Sequence, residues 1–170
     1  VTKNEDSFFL SFPLDLLETL KPRLQMFIIM SDVVIEDLTK DYIQVGSVGE
    51  NHQKAMAIND KLSLIIADKQ DTNKFNMESI ENWDMACIDS FLPEIFSITS
   101  EKLVPQMLNL DIDEFGVNFS KGCYPGQEVV ARLHYLGSAK RRLFAFVLDS
   151  DVNVGDSLYC ASSKSAKARG

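Results

Sequence analysis

Residues 62–67 of this 170-residue chain, Leu62-Ser63-Leu64-Ile65-Ile66-Ala67, make a continuous apolar run closed by Lys61 and Asp68. A run that short, apolar on both sides, suits a central strand buried on both faces. Such a strand needs neighbours on either side and cover above it, and the surrounding sequence offers both. Tyr42-Ile43-Gln44-Val45 and Val33-Val34-Ile35 read as strands joined through Thr39-Lys40-Asp41, with Gly46 and Gly49 loosening the exit. Ser7 to Phe12 reads as a buried strand stopped by Pro13. Residues 14–27 set Leu16, Leu17, Leu20, Leu24 and Phe27 on one helical face, and Pro22 either kinks that helix or opens a new turn. Residues 50–59 are predicted as a short helix and 68–76 as a polar connection.

The clearest helix is 79–91. Ile80, Trp83, Cys87 and Phe91 form one stripe, and Pro93 ends it. Residues 92–120 are mostly irregular around an apolar turn at 104–110. Leu143 to Leu148 is predicted as a strong strand, Asn153 to Asp156 as a turn, and 157–160 as the start of another strand. The tail from Ala161 is small and basic. This order predicts an α+β fold with helices packed on a mostly antiparallel sheet, and a second β unit beginning near residue 140.

Composition narrows the class. Lys and Arg number 17 against 25 Asp and Glu, a net charge of −8, and 45% of residues are hydrophobic. That excludes a disordered acidic tail, and eight glycines without a period exclude a collagen-like chain. No apolar run approaches the ~18–20 residues of a membrane span. No cationic segment leads into an apolar one at the start, so no secretory signal is read, and the absence of an initiator Met predicts an excised fragment. Phosphate neutralisation needs clustered cations, so a chain with pI near 4.7 is expected to contact neither nucleic acid nor membrane directly. Cys87, Cys123 and Cys160 are odd in number and widely spaced, which favours a reducing cytoplasmic setting over disulfides or a metal motif. Asn118-Phe119-Ser120 matches a glycosylation sequon that means nothing in that setting.

Chemistry concentrates in Lys121-Gly122-Cys123-Tyr124-Pro125-Gly126-Gln127-Glu128. Pro125 suits a first helical position, Gln127 and Glu128 then fall in the first turn, and Gly137 is a plausible stop. Val129, Val130, Leu133 and Leu136 supply the apolar face. Cys123 is thereby expected just before a helix start and two residues from Lys121, both of which favour a thiolate. Gly122 and Gly126 would let a ligand or another chain come close to the backbone. The plainer reading, a cysteine that merely packs, stays open. Cys87 lies on the core stripe and Cys160 in a strand, so both read as structural.

Other constellations are weaker. His52 and His134 have no second ligand at helical spacing, and pairing His134 with Cys123 would span most of a helix. Arg132, His134, Lys140, Arg141 and Arg142 are either a solvated helix end or a site for a small polyanion such as a glutamyl tail. Asp111, Asp113 and Glu114 are either solvated or acceptors for a heterocycle. No phosphate loop, dinucleotide fingerprint, serine-nucleophile motif or metal site is found.

The eight-residue segment resembles the K-G-C-Y-x-G-Q-E signature of the YgfZ family. Val104-Pro105-Gln106-Met107-Leu108-Asn109-Leu110 before it, Val129-Val130-Ala131-Arg132 after it and Lys140-Arg141-Arg142-Leu143 match as well. The likeness is specific over about 103–143 and looser over 8–102. The family usually carries Thr at the place of Pro125. The resemblance implies a cytoplasmic protein related to the glycine-cleavage T-protein, with a tetrahydrofolate-binding core of small domains and a C-terminal β-barrel. It implies a division into a folate-binding-like domain at 1–102, a signature segment at 103–138 and the start of a barrel at 139–170.

It also implies a task in assembly or repair of iron–sulfur enzymes, including tRNA-thiolating enzymes. Cys123 and Lys121 would be the reactive pair. Gly122, Tyr124, Gly126, Gln127, Glu128 and Arg132 would bind tetrahydrofolate. The T-protein's catalytic carboxylate belongs to a more N-terminal segment, so an aminomethyltransferase reaction does not carry over, and whether the chain catalyses anything is left open. Two alternatives stand beside this reading: a folate-dependent one-carbon or sulfur transferase using Cys123, and a docking module without catalysis.

Overall fold

The computed structural model describes residues 1–49, 55–111, 116–157 and 159. Two compact units divide between Phe96 and Ser97. The first unit is built on an antiparallel sheet of three strands, β3 (Tyr42–Val48), β4 (Met56–Ala57) and β5 (Leu62–Asp68), in the order β3-β5-β4. The apolar run is therefore the central strand, as its composition requires. Leu62 and Ile65 are 1% and 4% exposed, and Val45 is buried directly across from Ile65. Each such side chain contributes about 1.5–3 kcal/mol on leaving water.

β3 runs three residues past the predicted end, straight through Gly46. On the face opposite Val45, Gly46 meets the indole of Trp83, and a Cβ there would lie 2.2 Å from the ring. Trp83 belongs to α2 (Ile80–Asp89), whose N-cap Ser79 accepts a long hydrogen bond of 3.3 Å from the Glu81 N–H. Gly46 thus does not loosen the strand; it lets the helix layer settle on the sheet. Trp83 and Cys87 are half-buried, while Ile80 and Phe91 at the ends of the stripe stay exposed.

Several expected elements differ. Glu50 to Lys54 lie outside the described residues, and Met56–Ala57 pair with Leu64 and Ser63 instead of joining a helix. The Asn59 carboxamide explains this: its oxygen accepts the N–H groups of Lys61 and Leu62 at 2.8 and 2.7 Å, which folds the chain back into a hairpin. Ser7 to Phe12 is not a buried strand. Only Ser7–Phe9 (β2) is extended in a ladder, paired with Thr2–Asn4 (β1), and Phe8 and Leu10 are exposed. Val33-Val34-Ile35 forms no strand: no described strand takes up the short run, and β3 pairs with β5 alone. After a 3-10 turn at Leu14–Leu16, α1 (Leu17–Gln25) continues through Pro22, and Leu16 is the buried anchor.

The second unit holds a 3-10 turn at Pro105–Leu108 and α3 (Gln127–Leu136). Leu143 to Leu148 is an unbroken apolar run expected as a strand, and it is not one here. Phe144, Phe146 and Val147 are exposed, since apolar composition gives only a preference and no described strand offers a ladder. The Asn153 to Asp156 turn forms, with the Asp156 N–H on the Asn153 carbonyl and Gly155 at φ +91°. Leu158 and Cys160, and with them the strand expected at 157–160, lie outside the described residues, as does the tail. The whole is α+β, helices with antiparallel sheet. No described helix is long and apolar enough to cross a membrane.

Candidate functional site

The signature segment opens as a loop. Lys121, Gly122 and Cys123 are exposed, and Tyr124 is half-buried. The Tyr124 carbonyl accepts the Gln127 N–H at 3.3 Å, and Gly126 sits at φ +86°, ψ −3°. Pro at the second position and a left-handed glycine at the third define a type II turn. Pro125 is therefore the corner of a turn and not the first helical residue, because Gly126 breaks helical geometry before α3 begins. The Gln127 side-chain oxygen returns to accept the Tyr124 N–H at 3.0 Å, a reciprocal pair like a capping box.

The two glycines differ in kind. Gly126 is required by its backbone angle. Gly122 has no left-handed angle, and a Cβ added there would meet nothing within 4 Å. Among the described residues, neither strain nor packing asks for glycine at 122. Lys121 does not stand free: its ammonium lies 4.3 Å from the centre of the Tyr124 ring, a cation–π contact. Glu128 and Arg132 follow one helical turn apart on α3, both exposed.

α3 is fixed from beneath by a residue the sequence reading passed over. Gln106, 1% exposed, donates its side-chain N–H to the Val130 carbonyl at 2.7 Å, while its oxygen has no partner among the described residues. Val130 is the buried residue of the helix, with Val129 and Leu136 of the expected apolar face exposed. Asn109, left-handed at φ +60°, donates to the Leu143 carbonyl at 3.0 Å. Gln106 and Asn109 sit in an apolar stretch, where periodicity gives no sign of a polar clamp.

The basic cluster separates. Arg142 turns onto Asp111 with two parallel hydrogen bonds, Nη2 to Oδ2 at 3.1 Å and Nη1 to Oδ1. The guanidinium holds the Asp111 carboxyl below the usual carboxylate range. Asp111 and Arg142 are thus neither merely solvated nor open to a ligand. Asp113 and Glu114 lie outside the described residues, as does His52. The His134 ring stacks on Phe119, centroids 3.7 Å apart and 15° from parallel. Phe119 precedes Cys123 and reaches the last turn of α3, so the loop runs back along the helix. His134 and Cys123 therefore stand at opposite ends of an element about 15 Å long, not as a catalytic pair.

Cys87 in the first unit behaves as a packed thiol. Burial, with Glu94 and Asp84 adding their charge, pushes it up to about 11. That unit also has an open cleft of about 730 Å³ bounded by Phe9, Phe12, Leu17, Lys21, Val34 and Tyr42 among others, and no signature residue lines it. The described residues hold no group of three or more His, Cys, Asp or Glu suited to a metal.

Comparison with known proteins finds relatives over most of the chain. It is 32% identical over 148 residues to an uncharacterized protein of Haemophilus influenzae, covering 84% of this chain and 52% of that one. It is 34% identical over 115 residues to the tRNA-modifying protein YgfZ of Colwellia psychrerythraea, covering 65% of this chain and 35% of that one. A YgfZ of Blochmanniella pennsylvanica is 37% identical over 83 residues. The chain thus spans about half the length of the first relative and less of the others. No family model matches it, and no solved structure does.

Proposed function

Because the chain belongs to the YgfZ family, we propose that it is part of a tetrahydrofolate-binding accessory protein for iron–sulfur enzymes, among them enzymes that thiolate tRNA. The observation that supports this reading is the exposed Lys121–Glu128 loop, turned by Pro125-Gly126 and seated at the start of α3. Relatives named as tRNA-modifying proteins agree with its tRNA side. In this reading the chain has a T-protein-like fold whose barrel begins after residue 139, and it works in the cytoplasm.

The residues present suit a reduced folate. Gly122 leaves open space beside the backbone where a flat heterocycle can approach. Tyr124 offers a ring face, though Lys121 already covers one side of it. Arg132 is an exposed cation for the glutamate carboxylates, and Gln127 with Glu128 fixes the loop and the first helical turn. Bound folate would supply a one-carbon carrier, and Cys123 would be the accessible thiol beside it.

The experiment is complementation of an iron–sulfur maturation defect by the natural protein as its gene encodes it. Cys123→Ala is expected to fail and Cys87→Ala to succeed; full activity of Cys123→Ala would remove the thiol from the function. Calorimetric titration with tetrahydrofolate accompanies it. Saturable binding by both wild type and Cys123→Ala places the thiol's role after binding, and no binding by either ends the folate reading. A covalent adduct on Cys123 during turnover would favour the transferase alternative, and partner binding indifferent to folate would favour the docking module.

A further inference from the structure

The charge of this acidic chain is unevenly spread. Residues 116–142 carry five cations, Lys121, Arg132, Lys140, Arg141 and Arg142, against the single carboxylate Glu128. Arg142 is turned inward on Asp111. Arg132, Lys140 and Arg141 are exposed and have no carboxylate partner among the described residues. Lys140 and Arg141 are not on a loose end. The Arg142–Asp111 pair and the Asn109 to Leu143 hydrogen bond hold the backbone immediately after them.

The same stretch presents rings. Phe119 and His134 stack, and Tyr135 stands edge-on to both, at 4.7 Å from His134 and 6.2 Å from Phe119. Tyr135 is 66% exposed. Anchored cations and an exposed aromatic group within one short stretch of chain are what a single-stranded nucleic acid requires: phosphates meet the cations and unstacked bases lie on the rings. An acidic peptide would satisfy the cations and leave the rings unused.

We propose that this face of the second unit binds RNA, with Lys140 and Arg141 on phosphates and Tyr135 beside the His134–Phe119 stack receiving a base. The face is short, so it holds a few nucleotides, near the lower end of about 4–16 for single-stranded sites. The net charge of −8 argues against nucleic acid only as an average; the local sign is reversed. The choice of RNA rests on the tRNA-modification reading above, whereas the charge and ring geometry do not.

The test is fluorescence anisotropy of a labelled, unmodified tRNA transcript with the natural protein, titrated with salt. Lys140→Ala/Arg141→Ala is expected to weaken binding about tenfold or more and to flatten the plot of log affinity against log salt by about 1.4, that is 0.7 for each lost contact. Tyr135→Ala is expected to cost about tenfold while leaving binding to a heparin fragment unchanged. Absence of tRNA binding at 50 mM salt, no effect of the paired substitution, or equal competition by heparin overturns the inference. So does binding to phosphatidylglycerol vesicles in place of RNA. Wild-type protein that complements but does not bind tRNA defeats this inference alone. Protein that binds tRNA but shows no tetrahydrofolate binding defeats the folate reading alone.

Discussion

Cys87 and Cys123 show what a single side chain owes to its surroundings. Cys87 is held half-buried by α2, near Asp84 and Glu94, and its thiol is pushed up to about 11. At pH 8 a free cysteine near 8.5 is about one-quarter thiolate and a thiol at 11 about one-thousandth, so Cys87 is expected to react with iodoacetamide roughly two hundredfold more slowly than a free cysteine. Peptide mapping by mass spectrometry reads this rate, which should keep rising to about pH 11; rapid labelling at pH 8 would show that α2 does not protect the thiol. The sign for stability follows. The folded state keeps the Cys87 proton where the unfolded chain loses it, so stability falls as the pH rises above the unfolded value. The packed role of Cys87 was legible from its place on the Ile80-Trp83-Cys87-Phe91 stripe. Gln106 was not legible, because a polar residue inside Val104 to Leu110 gains its meaning only when the Val130 carbonyl arrives from 24 positions away.

At the scale of elements, Gly46, Gly126 and Gly122 answer to different demands. Gly46 lies under Trp83, and a methyl group would displace α2 from β3. Gly46→Ala is expected to cost about 1–3 kcal/mol in a denaturant titration, and much less in a Trp83→Leu background; equal costs in the two backgrounds would deny the contact. Gly126→Ala is expected to cost about 1–2 kcal/mol from its left-handed angle alone, while Gly122→Ala should leave the midpoint unchanged. If Gly122→Ala folds normally yet fails to complement, a ligand or partner is what needs the missing Cβ. The elements that could be read in advance, β5, α2 and the core of β3, owe their form to their own apolar pattern. Those that could not, β4 and the hairpin β1–β2, depend on a partner strand supplied by a turn. Leu143 to Leu148 failed in the reverse sense, with its pattern intact and no described ladder to join. The turn at Tyr124 to Gln127 was not legible: Pro125 reads as a first helical residue, and only the left-handed angle of Gly126 delays the helix to Gln127.

For the molecule as a whole, the second unit carries a polar anchor of its own, Arg142–Asp111, with the Asp111 side chain only 10% exposed. The folded Asp111 carboxyl lies below its ordinary value because of the Arg142 hydrogen bonds. Its contribution is therefore complete above the unfolded value of about 3.9 and is lost as the pH falls through the lower folded value. Asp111→Asn should remove that acid-sensitive share and destabilise the second unit at pH 7, since it leaves a guanidinium without its partner. The consequence should stop at the boundary between Phe96 and Ser97. Hydrogen exchange at pH 7 is expected to speed up at the amides of α3, Gln127–Leu136, and to stay as in the wild type at Leu62–Asp68, whose ladder with β3 and β4 belongs to the first unit. Faster exchange in both stretches would mean that the chain unfolds as one cooperative body. The signature helix would then draw its stability from the sheet as well as from the Gln106 and Arg142 anchors.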